Sequence, residues 1–192
     1  MKLPEPQGKP FTALISGIET GQIKIPQFQR EFVWDLRKCA SLMDSIIKGY
    51  PIGTLIFWRT KERLRSIKNI GGCELPEPDE GDFVEFVLDG QQRLTALFAS
   101  LKALDVKRVT GKVDRFADMY VDLEAEESEQ VVTTDISGRD GSSVIRISDL
   151  LYGGLSLLAG YPKEYHSKLE QYQTRINSYT YSTIEIKEAP ID

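Results

Sequence analysis

FVEFVLDGQQRLTALFASLKAL, residues 83–104, reads as a buried strand that passes through a glycine directly into a helix. Residues 83–88 are β-branched or aromatic apart from one glutamate and one leucine, and this composition is typical of a strand. From residue 94 to residue 104 the large apolar side chains recur at intervals of three and four, which predicts one buried face of a helix. The stretch therefore predicts a strand and a helix joined by a very short turn.

Five polar or flexible residues occupy that turn and the first helical positions: Asp89, Gly90, Gln91, Gln92 and Arg93. A strand-to-helix junction leaves unpaired backbone N–H groups and the positive end of the helix dipole at one place, which favours an anion. We therefore predict a strand-to-helix phosphate loop here. A polar cap on an ordinary core helix is the alternative interpretation.

Length and composition indicate one globular domain. The chain has 192 residues, of which 41% are hydrophobic, and its net charge of −5 argues against a whole-domain electrostatic grip on nucleic acid. We expect a loose segment at residues 1–10, which contain three prolines, and a single domain at residues 11–192. Cys39 and Cys73 are far apart and form no metal-ligand spacing with His166, so we expect reduced thiols and a cytoplasmic protein. The sequence contains no run of about 20 apolar residues, so we expect no membrane contact.

The chain before residue 83 is predicted to run in the order helix, strand, helix, strand. A helix is predicted at residues 11–20 and a short strand at 23–25. Asp35 is a good N-cap for a one-sided core helix that ends near Lys48, and a buried strand follows at residues 54–58.

The chain after residue 104 gives weaker patterns. Strands are predicted at residues 116–123, 130–134, 144–147 and 181–187. A short helix capped by Asp149 is predicted to run to Leu158, and a polar helix is predicted at about residues 163–179.

A second polar pair, Gln29 and Arg30, follows the strand at residues 23–25. If both strands belong to one sheet, Arg30 and Arg93 would point into one cleft near Gly90, where two guanidinium groups match a polyphosphate. Asp89 would then hold Mg²⁺ or orient a water for phosphoanhydride hydrolysis. The chain lacks the glycine-lysine pattern of a P-loop, which excludes that class of nucleotide-binding protein.

Aromatic side chains flank this pair at Phe28, Phe32 and Trp34. They either fill the core, which is the commoner role of large aromatic residues, or stack on a base.

Residues 59–68 form the one dense basic run of the chain, and Arg59, Lys61, Arg63 and Arg65 are its candidate DNA contacts. A solvated loop face is the alternative meaning of such a run.

Three segments carry a family resemblance: IPQFQREFVW at 25–34, YPIGTLIFW at 50–58 and FVLDGQQRLTAL at 86–97. In order and spacing they resemble the N-terminal domain of GmrSD-type restriction proteins, the domain-of-unknown-function family 262. That family is similar in fold to ParB/sulfiredoxin-like domains, which are α+β units, so the resemblance implies the α+β class. The resemblance therefore implies a mixed sheet with flanking helices and a nucleotide-binding strand-to-helix loop.

The resemblance also implies binding of a nucleoside triphosphate (NTP) and its hydrolysis with Mg²⁺, in proteins that defend bacteria by cleaving phage DNA. It assigns the nucleotide site to the 89–93 motif together with Gln29 and Arg30. Within that site we expect Asp89, as the carboxylate, to have the catalytic and metal-binding role. DNA cleavage would need a C-terminal nuclease domain or partner subunit, and we expect this chain to be the N-terminal fragment of a longer protein. A non-enzymatic DNA-binding module on the same scaffold is the alternative function.

Overall fold

The computed structural model describes residues 4–64 and 67–187. It contains α-helices and β-strands in mixed order, and the predicted α+β class with a mixed sheet is confirmed. The strands are β1 Pro6–Pro10, β2 Ile23–Pro26, β3 Leu55–Thr60, β4 Ile67–Lys68, β5 Val84–Asp89, β6 Asp105–Lys107, β7 Val113–Arg115, β8 Tyr120–Asp122, β9 Val132–Thr133, β10 Val144–Arg146 and β11 Thr180–Lys187. The α-helices are α1 Phe11–Glu19, α2 Leu36–Ile47, α3 Gln91–Lys102, α4 Ile147–Tyr152, α5 Gly154–Ala159 and α6 Lys163–Ser178.

A six-stranded sheet in the order β1-β11-β3-β5-β2-β4 forms the centre of the fold. The pairs β11–β3 and β2–β5 are parallel, and the other neighbours are antiparallel. Strand β5 therefore lies between β3 and β2, and the chain leaves its carboxyl end directly into α3. This topology places the β5–α3 junction between the loops that adjoin β2 and β3.

The main core lies between the sheet and the helices. Phe57 of β3 and Val87 of β5 belong to it, together with residues of α1, α2, α3 and α6. Neighbouring residues of a strand point to opposite faces of a sheet. Trp58 and Phe86 accordingly form a second, smaller cluster with Val84 on the other face, and their ring centroids are 5.7 Å apart.

Helix α2 begins as predicted. The Asp35 carboxylate accepts a hydrogen bond from the Lys38 backbone N–H at 2.8 Å, which satisfies one of the free donors of the first turn. The helix buries Cys39, Met43 and Ile46 against the core.

The expectation of a loose segment at residues 1–10 is wrong for its second half. Residues 6–10 form β1, which pairs antiparallel with β11 so that Gly8 lies opposite Ser182. Strand β1 is at the edge of the sheet, and an edge strand tolerates proline because its outward N–H groups need no partner strand.

Two predicted elements after residue 104 also differ. Residues 116–118 form a 3₁₀ turn before β8 rather than a strand. The predicted helix from Asp149 to Leu158 begins two residues earlier, at Ile147, and is split into α4 and α5 at Gly153. In the described ranges, no helix is both long enough and apolar enough to cross a membrane.

Candidate functional site

The junction between β5 and α3 requires glycine at position 90. Gly90 has φ of +91°, and a Cβ atom there would lie 2.4 Å from Leu55 Cδ2. The first helical hydrogen bond joins the Leu94 N–H to the Gly90 carbonyl at 3.0 Å. The N–H groups of residues 91–93 therefore have no acceptor within the helix, as expected for a helix N-terminus.

Arg93 holds the loop between α2 and β3. Its Nη1 and Nη2 donate to the carbonyl oxygens of Ile52 and Thr54, at 2.7 and 2.8 Å. Gly53 lies so close that a Cβ atom there would be 2.3 Å from Arg93 Nη1. Nη2 also lies 3.3 Å from the Asp89 carboxylate, whose side chain is 66% exposed. The guanidinium group of Arg93 is thus hydrogen-bonded to backbone carbonyls within the protein.

Gln91 and Gln92 hold a different loop, residues 27–35 between β2 and α2, which we name the β2–α2 loop. Gln91 Nε2 donates to the Arg30 carbonyl at 2.7 Å, and Gln92 Nε2 donates to the Glu31 carbonyl at 2.8 Å. Gln92 Oε1 accepts from the backbone N–H of Val33 at 2.9 Å. Both glutamine side chains are buried, so they connect a loop without regular structure to the first turn of α3.

Gln29 and Arg30 have different surroundings. Gln29 Nε2 donates to the Leu88 carbonyl at 2.9 Å and so attaches the β2–α2 loop to the end of β5. Arg30 is exposed, and within the described residues its guanidinium group has neither a hydrogen bond nor an ion pair. Arg30 is therefore available to an external anion.

Arg30 lines a cavity of about 320 Å³ beside the first turn of α3. Its walls come from the β2–α2 loop, α3, the glycine turn after β4 and the segment from β6 onward: Ile25, Gln27, Arg30, Glu31, Phe32, Asn69, Gly71, Gly72, Gln91, Thr95, Val106, Lys107, Arg108 and Val109. The volume is at the lower end of the range for small-molecule sites. Arg93 is not part of this wall, so the structure does not bring the two arginines into one cavity.

The three aromatic residues of the β2–α2 loop do not all fill the core. Phe32 and Trp34 are partly buried and pack against the main core. Phe32 also lies 6.3 Å from Phe116 between ring centroids. Phe28 is 72% exposed, so it does not fill the core.

In the basic run of residues 59–68, the two arginines that the structure describes are engaged within the protein. Arg59 Nη1 lies 3.3 Å from the Glu185 carboxylate, and Arg63 donates to the carbonyls of Asp79 and Asp82. Lys61 is exposed and lies 5.0 Å from the Phe83 ring centroid. Arg65 lies outside the described residues.

One buried ion pair beside the cavity was not expected from the sequence. Arg108 Nε donates to Asp114 Oδ2 at 2.7 Å, and Asp114 is only 6% exposed. Burial acts to raise the pKa of Asp114, but hydrogen bonds from Lys112 and Arg108 outweigh it and hold that pKa below its usual value. The sequence signal for this pair was Gly111, a turn residue that lies between Arg108 and Asp114. The signal is weak because the two strands of this hairpin have only three residues each.

Metal-binding side chains are not clustered in the residues that the structure describes. They include no group of three or more histidine, cysteine, aspartate or glutamate residues that could hold a metal ion. Asp89 supplies a single exposed carboxylate next to Arg93.

Comparison with known proteins gives two findings. The family model for the GmrSD restriction endonuclease N-terminal domain matches residues 11–189. An uncharacterized protein of Methanocaldococcus jannaschii is 33% identical over 92 residues, which are 46% of this chain but only 16% of that relative. Since the family model covers nearly the whole sequence, the chain belongs to the family of GmrSD restriction endonuclease N-terminal domains.

Proposed function

We propose that this domain binds the phosphates of a nucleoside triphosphate and supports its hydrolysis with Mg²⁺, as the regulatory part of a bacterial anti-phage DNA-restriction protein. The family match supports the restriction context. The observation that carries nucleotide binding is Arg30, an exposed cation without a partner among the described residues, in a cavity beside the first turn of α3.

The cavity suits an anion for two reasons. The first turn of α3 brings free N–H groups and the positive end of the helix dipole close to it, because Gln91 is both the first residue of that helix and part of the cavity wall. Arg30 adds a guanidinium group whose planar fork matches phosphate oxygens. Gly71 and Gly72, both with positive φ, let the backbone form the facing wall.

The residues of the two polar segments divide into two roles in this proposal. Arg30 and the backbone of the 89–93 motif contact the phosphates. Four side chains have positioning roles, because they bond the backbone of the neighbouring strand and loops: those of Gln29, Gln91, Gln92 and Arg93. A ParB/sulfiredoxin-like arrangement, in which the strand-to-helix loop holds phosphate, is consistent with these roles.

Asp89 is the residue that would hold Mg²⁺. In nucleotide sites Mg²⁺ is usually bound by one or two carboxylates together with the substrate phosphates. Asp89 is an exposed carboxylate two residues before Gln91 of the cavity wall, although it is not itself part of that wall. The bound ion would neutralise charge that develops on the phosphate oxygens during hydrolysis. DNA cleavage we assign to a C-terminal nuclease domain or a partner subunit, with DNA as the partner of the whole restriction protein.

Thermal shift of the domain with each of the four NTPs, with and without Mg²⁺, tests this proposal. A nucleotide at about 100 times its dissociation constant stabilises the protein by about 2.7 kcal/mol, which corresponds to about 5–11 °C for a chain of this size. Arg30→Ala should abolish the shift. Arg37→Ala is the matched control, because Arg37 is equally exposed but does not line the cavity. No shift with any NTP, or an unchanged shift in Arg30→Ala, would refute the proposal.

A further inference from the structure

We propose that the hairpin β6–β7 is the second wall of the anion site, with Lys107 as a phosphate-contacting cation and Arg108 as the residue that positions it. This inference rests on the proposed function, because it concerns the same cavity. Neither residue lies in the segments that carry the family resemblance.

The hairpin reaches the cavity through four consecutive residues, 106–109. Val106 is buried in the main core and anchors the base of the hairpin. Lys107 is exposed, and no described residue forms an ion pair or hydrogen bond with its side chain. Lys107 and Arg30 therefore bring unpaired positive charge to one cavity from two different segments.

Arg108 connects the two segments that carry these cations. Its Nη1 donates to the Phe32 carbonyl at 2.9 Å and its Nη2 to the Trp34 carbonyl, while its Nε bonds Asp114 on the opposite strand. The guanidinium carbon also lies 4.5 Å from the centroid of the Phe32 ring. One side chain thus joins the hairpin to the β2–α2 loop on which Arg30 lies.

The positively charged residues of the hairpin differ in whether they are paired within the protein. Asp114 is buried and neutralises Arg108, so Arg108 is engaged within the protein and is not available to a ligand. Lys112 also pairs with Asp114, at 3.0 Å, but it is 74% exposed and does not line the cavity. Arg115 pairs with Asp118 at 3.0 Å and does not line the cavity either. Lys107 is therefore the cation of the hairpin that can contact a phosphate.

The matched pair Lys107→Ala and Lys112→Ala tests the contact, because each removes one positive charge from the same hairpin. Binding of inorganic triphosphate and of the best NTP is measured by calorimetry. Loss of a charge-assisted contact should weaken both ligands about tenfold or more in Lys107→Ala, and Lys112→Ala should bind as the wild type does. Equal affinity in the two variants would overturn the contact role. Binding of neither ligand by the wild type would overturn the proposed function and this contact together.

The positioning role of Arg108 has a readout that needs no ligand. In the apoprotein, hydrogen exchange of the β2–α2 loop should be about tenfold faster in Arg108→Ala than in Lys112→Ala, because two loop carbonyls lose their donor. Arg108→Lys keeps the charge but not the fork, so it should retain the melting temperature better than Arg108→Ala while failing to restore loop protection. Loop exchange at the wild-type rate in Arg108→Ala would overturn the positioning role, even if Lys107 binds phosphate.

Discussion

Arg93 provides a direct test of how the DGQQR motif acts. Its guanidinium group donates two short, charge-assisted hydrogen bonds to the carbonyls of Ile52 and Thr54 and is only 17% exposed. Each such bond contributes about 1.5–3 kcal/mol, so two give about 3–6 kcal/mol. Because Ile52 and Thr54 are only half buried, water can reach the freed carbonyls in Arg93→Ala, and we expect a net loss of about 3 kcal/mol. The melting temperature should fall by about 6–12 °C.

Urea denaturation without ligand, followed by circular dichroism, measures this loss. Arg30→Ala removes the same charge from an exposed side chain that forms no ion pair or hydrogen bond with any described residue, so stability should change by less than about 0.5 kcal/mol. Asp89→Ala should cost less than about 1 kcal/mol, since it removes only an exposed ion pair. An Arg93→Ala variant with the urea midpoint of the wild type would refute the reasoning.

Three further predictions concern other buried polar groups. Gln92→Glu replaces the buried amide nitrogen, which donates to the Glu31 carbonyl at 2.8 Å, with an oxygen that repels this carbonyl. Urea denaturation should show that the free energy of unfolding falls by about 1–3 kcal/mol. Burial raises the pKa of the Cys39 thiol to about 12, so iodoacetamide at pH 8 should label Cys73 and leave Cys39 unmodified until the protein unfolds. Burial acts to raise the pKa of Asp122, but the hydrogen bonds from Arg139 and from the backbone N–H groups of Glu124 and Ala125 together outweigh it and hold that pKa below its usual value of 3.8. The Asp122 carboxylate therefore stabilises the fold above pH 3.8 and loses this effect as the pH falls through the lowered pKa, so Asp122→Asn should show a weaker pH dependence of stability in that acidic range.

Local patterns predicted the elements whose signals lie within one segment. The N-cap at Asp35 and the apolar periodicity of α2 both depend on residues less than four turns apart, and the structure contains them as expected. Strand β1 could not be predicted in this way, because its partner strand, β11, lies more than 160 residues away in sequence. The hairpin β6–β7 has strands of three residues, too short for an alternating pattern to stand out.

The hydrogen-bond partners of the candidate site's side chains could not be predicted from the sequence either. The sequence correctly marks Gln91, Gln92 and Arg93 as polar groups at a helix N-terminus, but their acceptors are backbone carbonyls. Every residue has a carbonyl, so no residue type indicates which loop will supply it. Arg30 and Arg93 have the same chemistry in the sequence, and only the arrangement of the two loops leaves one exposed and commits the other to the protein.

This division of roles changes what a loss of nucleotide binding would mean at each position. In the proposed function Arg30 contacts only the bound phosphates, so its removal should lower affinity and leave the stability of the apoprotein unchanged. The side chains of Arg93 and Gln92 hold loops with and without ligand, so their removal should lower the stability of the apoprotein. Their removal should also lower affinity, because ligand binding must then order those loops at a cost in free energy. Affinity and apoprotein stability measured on the same variants therefore separate the two groups. Loss of binding in Arg93→Ala would identify a phosphate contact only if its apoprotein were as stable as the wild type.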